Sequence, residues 1–157
     1  MRKKVIKSGA INPRPHSHEK WLDLEEIARV EVTSEDPNFP IESALAQGEG
    51  GWRAAEKGTQ IIRIVFDEPR TLRQIELEFI ETEIERTQEF TLRWSAEAGG
   101  PLTEIVRHQW TFSPQGSTRE VEDYQVKLEN LSTLELAIKP DLKPNHAFAT
   151  LARCRVA

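Results

Sequence analysis

Hydrophobic and polar residues alternate along most of this chain with the period of two that is typical of β-strands, and no sustained helical stripe appears. In "LRQIELEFI", for example, Ile75, Leu77 and Phe79 share one face, and the polar residues between them are expected to point to solvent. About eight strands are predicted, in "ARVEVTSE", "IIRIVFD", "LRQIELEFI", "EFTLRWS", "TEIVRHQWTFS", "EVEDYQVKL", "STLELAIKP" and "AFATLARCRVA".

Turn-forming segments separate these strands at the spacing of a β-sandwich or jelly roll, for instance "AEAGGP", "SPQGST" and "ENLS". One short helix is predicted in "PIESALAQG", because Pro40 suits the start of a helix and Gly48 suits its end. The sequence therefore predicts an all-β fold, an antiparallel jelly-roll sandwich of about eight strands with one short helix.

Length and charge divide the chain into a short arm and one domain. The 157 residues are enough for a single domain with its own core. Residues 1–20 contain six Lys or Arg against one Glu, a balance of +5, which leaves −10 for residues 21–157 of the total of −5. We predict a flexible basic arm over residues 1–20 and a folded domain over residues 21–157.

Several classes of protein are disfavoured by what the sequence contains. The single Cys154 cannot form an internal disulfide, and no apolar segment follows the basic amino terminus, so a cytoplasmic location is expected. No apolar run reaches the length of a membrane span. We expect no sequence-specific binding of nucleic acid, because zinc-ligand spacing and phosphate-binding glycine motifs are both missing.

The segments that carry a family resemblance are "VTSEDPNFPIESALAQGEGGWRAAEKGTQIIRIVFDEPRTLRQIELEF", "EFTLRWSAEAGG" and "AFATLARCRV". Their order of strand, short helix, glycine loop, Trp and strand resembles the galactose-binding-like jelly roll of the discoidin and coagulation-factor type C superfamily. The resemblance covers about residues 27–157 and implies that fold. Many members carry Asp-Gly in the glycine loop, where calcium is often bound. Here Ala46 and Gln47 occupy that place, so neither calcium nor another metal or cofactor is expected.

The resemblance also implies a place for a ligand, at the loops that gather at one end of the sandwich. Sugar-binding members hold their ligands there with planar polar groups and an aromatic ring. The candidate ligand-binding residues in this chain are Asn38, Gln47, Glu49, Arg53, Arg86, Asn145 and His146, with Phe39 as an aromatic neighbour. Each is also a residue type that is common in turns and on solvated surfaces.

Other residues with chemical potential have simpler interpretations. Trp52 follows the glycine loop and is predicted to be buried with its indole N–H bonded to a backbone carbonyl, although a ligand platform is the alternative. His16 and His18 could hold a metal, but no third ligand lies near them in the sequence. His108 is predicted to be a core or edge histidine, and Cys154 a buried thiol, so no catalytic residue is expected.

These observations predict a non-catalytic binding module. Its ligand is expected to be a carbohydrate, a similar polyol or another small polar molecule, held by loops at one end of the sandwich. The alternative is an intracellular protein-interaction domain with a protein partner. That alternative rests on "WRAA" and the strands after it, which are similar to the amino-terminal domain of the single-strand-break-repair scaffold protein of animals.

Overall fold

The computed structural model describes residues 20–45, 50–144 and 146–157. Among these residues, the one-turn helices are α1 (Leu24–Ile27) and α2 (Glu42–Leu45). The eight strands are β1 (Ala28–Val32), β2 (Trp52–Lys57), β3 (Gln60–Ile80), β4 (Arg86–Ser95), β5 (Thr103–Phe112), β6 (Arg119–Lys139), β7 (Phe148–Leu151) and β8 (Arg153–Val156). No helix in the described part of the chain is long and apolar enough to span a membrane. Residues 1–19 of the predicted arm lie outside the described residues, so the prediction of a flexible arm is not tested.

The strands form an antiparallel β-sandwich, which confirms the predicted fold class. The main sheet has the order β1-β3-β6-β4-β5, with β8 also paired to β3, and β2 pairs with β7. The first part of β3 pairs with β1 and the second part of β6, in the layer that also contains β4 and β5. The second part of β3 pairs with β8 and the first part of β6, in the facing layer.

Two of the predicted strand boundaries are bends within longer strands. The pairing of β3 with β6 shifts register between Val65 and Gln74, so the two predicted strands in this region are one bent strand. The predicted turn "ENLS" is likewise a bend in β6, where Asn130 has a φ of 56°. A turn-rich segment inside a sheet can therefore redirect a strand from one layer to the other without ending it.

The helix prediction was right in part. The segment predicted as a helix contains α2, and the last three residues of the segment, 46–48, lie outside the described residues. The helix α1 was not predicted. It begins after Asp23, whose side chain accepts a hydrogen bond from the backbone N–H of Glu25 at 3.2 Å, and it buries Leu24. A single turn is too short to produce a helical period in the sequence.

The inward faces follow the predicted alternation, but one outward face is covered. Phe79 on β3 stacks on Phe90 of β4 across the core, with ring centroids 5.3 Å apart. Gln74 and Glu78 were expected in solvent and are instead 7% exposed. Gln74 donates hydrogen bonds to Asp123, and arginine side chains of the neighbouring strands cover Glu78. Long charged side chains thus bury polar groups that alternation alone places outside.

Cys154 is a buried residue of β8, as predicted, and its thiol is expected to be inert. It is 3% exposed, and burial, followed by the charge of Glu76, raises the pKa of the thiol to about 12. Because the thiolate is the reactive form, iodoacetamide at pH 8 should leave the native protein unmodified and should modify the unfolded chain completely. Mass spectrometry with and without denaturant measures this, and rapid native modification would contradict it.

Candidate functional site

A depression of about 380 Å³ opens at one end of the sandwich, beside the glycine loop. Four separate segments line it: Phe39 before α2, residues 50–53, the end of β3 at Glu78 and Ile80, and residues 150–153 around the β7–β8 junction. This volume lies within the range of small-ligand sites, about 300–1,000 Å³. It is therefore the place where the predicted loop-end site can be tested against geometry.

Trp52 forms part of the base of this depression and belongs to the core. Its side chain is 1% exposed, and its Nε1–H donates to the backbone carbonyl of Ser34 at 3.2 Å. The Ser34 hydroxyl in turn accepts hydrogen bonds from the N–H groups of Ala55 and Glu56, at 3.0 and 3.2 Å. The prediction of a buried Trp bonded to a backbone carbonyl is confirmed, and the ligand-platform alternative is wrong, because the ring offers no exposed face.

Gly51 explains why the glycine loop precedes this Trp. Its φ is +70°, and an added Cβ would lie 2.5 Å from the carbonyl oxygen of Leu151 and 2.9 Å from the Cα of Ala152. Both obstacles are backbone atoms, so no rotamer change relieves the contact. Glycine at this position allows the loop to lie directly against the β7–β8 junction, which closes one wall of the depression.

An aromatic ring and a guanidinium group flank the opening. Phe39 is 38% exposed, and its carbonyl oxygen accepts a hydrogen bond from the backbone N–H of Arg53 at 3.1 Å. The guanidinium of Arg53 lies over the ring of Phe148, 4.9 Å from its centroid. Ile80, which is 45% exposed, adds a second apolar surface. A ring beside fixed donors can hold a ligand that has one apolar face and several hydroxyl groups.

The charges around the depression are mainly positive. The carboxylate of Glu78 is in contact with Arg119 and lies 3.4 Å from Arg153. Within residues 20–45, 50–144 and 146–157, Arg53 has no carboxylate in ion-pair contact. Two arginines at the walls therefore face a single carboxylate that a third arginine already compensates, which favours an anionic or strongly hydrogen-bonding ligand.

The predicted site residues fall into three groups. Arg53 lines the depression, and Asn38 is exposed immediately beside Phe39, with its backbone N–H bonded to Asp36. Arg86 and His146 do not line it. Gln47, Glu49 and Asn145 lie outside the described residues.

Arg86 is buried and bonded to protein groups. Its side chain has no exposed surface, and its donors contact Glu81 at 2.7 Å, the carbonyl oxygen of Pro140 at 2.8 Å and Gln88 at 3.2 Å. A further contact of 3.4 Å reaches the hydroxyl of Thr150, which lines the depression. The described conformation thus gives Arg86 a structural role beneath the site rather than a place in it.

His146 lies at the other end of the β2–β7 pair. It is exposed, and its Nδ1 lies 2.9 Å from the ammonium nitrogen of Lys57. Its separation from the glycine loop follows from the pairing, because Lys57 is opposite Phe148 whereas Trp52 is opposite Leu151. Direct contact of any of these residues with a ligand stays a prediction.

Sequence reasoning did not place Glu78, Ile80, Thr150 or Arg153 at the site, although all of them line the depression. Glu78 and Arg153 are register partners in the pairing of β3 with β8, although they are far apart in sequence. The sequence pattern of a single strand does not show which strand it pairs with or in which register. These residues therefore come together only through the pairing of β3 with β8.

A second depression, of about 340 Å³, lies on the outer face of the main sheet and is less suited to a ligand. Its charged side chains contact one another: Glu31 lies 3.4 Å from Arg63 and 3.6 Å from Arg29. None of the described residues that line it is aromatic. Its polar groups are therefore largely engaged by each other.

Comparisons with known proteins give a clear result only at the level of structure. No family model matches the sequence, and no curated protein matches it either. The Clostridium perfringens module CpGH89CBM32-5, in complex with GalNAc-β-1,3-galactose, has a TM-score of 0.64 at 15% identity, with 87% of this chain and 98% of that chain covered. The family 32 carbohydrate-binding module of C. perfringens NanJ, in complex with galactose, has a TM-score of 0.58 at 15% identity, covering 87% and 96%.

The fold is the galactose-binding-like jelly roll. The resemblance inferred from the sequence is thus confirmed at the level of fold. A Ruminococcus gnavus GH29 fucosidase is also similar, with a TM-score of 0.61 at 11% identity, and there the chain matches 26% of a longer protein. In that protein the fold therefore accounts for only part of the chain. These neighbours do not favour the protein-interaction alternative.

Proposed function

We propose that this chain is a non-catalytic carbohydrate-binding module whose ligand occupies the depression between Phe39, Arg53 and Arg153. The observation that carries the proposal is that an exposed aromatic residue, Phe39, and an arginine, Arg53, are joined by a backbone hydrogen bond and line the same depression of about 380 Å³. The fold supports it, because similar structures are described in complex with galactose and with GalNAc-β-1,3-galactose.

The charge of the depression favours a sugar that bears a carboxylate. Arg53 and Arg153 both line the walls, and Glu78, the acidic residue between the strand ends, is already in contact with Arg119. A guanidinium binds a carboxylate through two parallel hydrogen bonds, which is stronger and more directional than its bond to a hydroxyl group. One similar structure, with a TM-score of 0.60 at 15% identity, is described as a pectin-binding module.

The expected affinity sets the conditions of the test. A monosaccharide has about a dozen non-hydrogen atoms, and at about 0.3 kcal/mol per atom its Kd is on the order of 1 mM. Titrations therefore need sugar concentrations above 10 mM or so, or an oligosaccharide that occupies more of the depression. Galactose and galacturonate form a matched pair, because they differ only at C6, which is a hydroxymethyl group in galactose and a carboxylate in galacturonate.

Arg53→Ala should weaken galacturonate binding by at least about tenfold, since it removes a charge-assisted contact, and should weaken galactose binding less. Phe39→Ala should weaken both sugars similarly, because a ring contacts the apolar face that they share. Isothermal titration calorimetry measures both effects. Arg107→Ala is the matched control, because Arg107 is a 50% exposed arginine of β5 that does not line the depression.

Two results would overturn the proposal. One is the absence of a heat or melting-temperature response to every sugar in a panel that includes uronic acids; the protein-interaction alternative would then be tested by pull-down. The other is binding that both Arg53→Ala and Phe39→Ala leave unchanged. Equal affinity for galactose and galacturonate would remove only the preference for an acidic sugar.

A further inference from the structure

A second cluster of chemically distinctive side chains lies between the two layers of the sandwich, and none of its residues lines the depression. His108 on β5, the end strand of its layer, faces Glu120 and Glu122 on the first part of β6. That part of β6 pairs with β3 alone among the described strands. The three side chains therefore bridge the two layers at the side where no further strand joins them.

The three ligand-type atoms converge closely. The Nε2 of His108 lies 2.9 Å from Oε2 of Glu122 and 3.4 Å from Oε2 of Glu120, and all three atoms lie within 4.8 Å of one another. Around a tetrahedral zinc ion with bonds of about 2.0–2.1 Å, neighbouring ligand atoms are about 3.3 Å apart. The observed spacing thus needs only small movements to surround such an ion.

Glu120 provides an independent observation that a ligand is missing from the contacts within the chain. Its side chain has no exposed surface, and its Oε2, which points toward His108, has no hydrogen-bond partner. His108 Nε2 and the hydroxyl of Tyr124 are also buried without a hydrogen bond. Buried polar atoms nearly always form a hydrogen bond, so three neighbouring atoms that form none require an explanation.

The electrostatics of Glu120 agree with this geometry. Burial, followed by the neighbouring carboxyl group of Glu122, raises the pKa of Glu120. A buried carboxylate next to a second carboxylate is unfavourable unless a positive charge lies between them.

Neighbouring groups hold Glu120 in place and leave a route for an ion. The side-chain amide of Gln88 donates to Oε1 of Glu120 at 3.4 Å, and Gln88 accepts a bond from Arg86. This chain of contacts fixes one carboxylate oxygen and leaves the other directed at His108, as second-shell groups do in metal sites. The side chains of His108 and Glu122 are 36% and 19% exposed, so the cluster borders solvent, although Nε2 of His108 and Oε2 of Glu120 are themselves buried.

We propose that His108, Glu120 and Glu122 form a binding site for a divalent zinc ion, with the fourth position open to water or to a ligand. An imidazole together with carboxylates suits zinc, whereas calcium and magnesium prefer oxygen ligands alone. The site is distinct from the sugar depression and does not depend on the proposed function.

The experiment uses the full chain with His16→Ala and His18→Ala, because these two histidines of the arm could bind zinc by themselves. The protein is first stripped with a chelator, which is then removed, and it is titrated with Zn²⁺ by calorimetry. The expected result is one ion bound per chain and a raised melting temperature. Co²⁺ in place of zinc reports the coordination geometry through its visible absorption.

Glu120→Gln keeps the shape of the side chain and the contact with Gln88 but removes the charged ligand, and it should weaken zinc binding at least about 100-fold. Its melting temperature in the presence of chelator should equal or exceed that of the parent, because an unpaired buried carboxylate becomes neutral. If the charge of Glu120 instead stabilises the fold, Glu120→Gln should melt at a lower temperature than the parent in the presence of chelator. His108→Gln, at a half-exposed position, is a second variant expected to lose binding. Glu104→Gln, an exposed glutamate of β5, is the matched control and should bind as the parent does.

The proposal is overturned if the His16→Ala/His18→Ala chain binds no zinc, or if Glu120→Gln and His108→Gln leave the affinity within about threefold of the parent. In either case the three side chains are held by contacts within the chain and not by a metal ion. Sugar binding measured on the same variants is expected to be unchanged, so failure here and failure of the proposed function can be told apart.

Discussion

Replacing Trp52 by alanine is expected to lower the free energy of unfolding by about 3–5 kcal/mol. The ring is 1% exposed in the core, and the variant loses its packing together with the hydrogen bond to the carbonyl of Ser34. Stabilities of single domains are about 5–15 kcal/mol, so the loss is a large share of the total. Urea unfolding followed by far-ultraviolet circular dichroism measures it without relying on tryptophan fluorescence.

Two further variants separate the parts of this effect. Trp52→Phe keeps most of the ring and loses the N–H, so it should cost about half as much as the alanine variant. Phe39→Ala removes a 38% exposed ring from the same end of the sandwich and should change stability by less than about 1 kcal/mol. A cost below about 1 kcal/mol for Trp52→Ala would show that the indole does not support the core.

Trp52 also illustrates which features the sequence could predict. Alternation along the strands and a large residue directly after a glycine loop are local signals, and both gave correct interpretations. The predicted number of strands, eight, equals the number in the described residues, but the individual strands differ. Two pairs of predicted strands are single bent strands, β2 was not predicted as a strand, and the last predicted strand is two short ones, β7 and β8. Local patterns locate hydrophobic alternation but not the bends that carry a strand between layers.

The candidate site was less predictable because it depends on register. Arg53 and Phe39 are close in space through the contact of their backbones, and the glycine loop between them was visible in the sequence. The pairing of Glu78 with Arg153, and the approach of His108 to Glu120, join strands that only the completed sandwich brings together. The cytoplasmic location stays a prediction from the single cysteine.

Arg86 is the clearest case in which residue type and neighbours mislead. It lies in the glutamate-rich segment "ETEIERTQE", a composition typical of a solvated loop, yet its side chain has no exposed surface. The guanidinium lies 4.9 Å from the ring centroid of Phe112 and at hydrogen-bond distance from Glu81 and the Pro140 carbonyl. The planar fork of arginine allows several such contacts from one buried group.

Replacing Arg86 by methionine is therefore expected to lower the free energy of unfolding by about 3–5 kcal/mol, because Glu81 and the Pro140 carbonyl lose their buried partner. Arg86→Lys should recover little of this loss, since one ammonium cannot reach the same set of acceptors. Arg107→Met is the control: this arginine is 50% exposed, and its ion pairs with Glu89 and Glu104 should contribute less than about 1 kcal/mol. Urea unfolding at pH 7 compares the three variants with the parent.

The loss of stability at low pH provides a second test of the contact between Arg86 and Glu81. Burial by itself would raise the pKa of Glu81, but the hydrogen bond from the backbone of Glu83, the hydrogen bond and charge of Arg86 and the bond from Ile84 outweigh it and lower the pKa. A carboxyl group whose pKa is lowered by folding stabilises the protein above its unfolded pKa, and this contribution is lost as the pH falls from about 4.5 through the folded value. The part of this contribution that comes from Arg86 should be missing in Arg86→Met and also in Glu81→Gln.

If Arg86→Met is too unstable to study, the neutral Glu81→Gln variant still tests the contact between Arg86 and Glu81. An acid-unfolding curve of Glu81→Gln that superimposes on that of the parent would mean that the Arg86–Glu81 contact does not stabilise the fold.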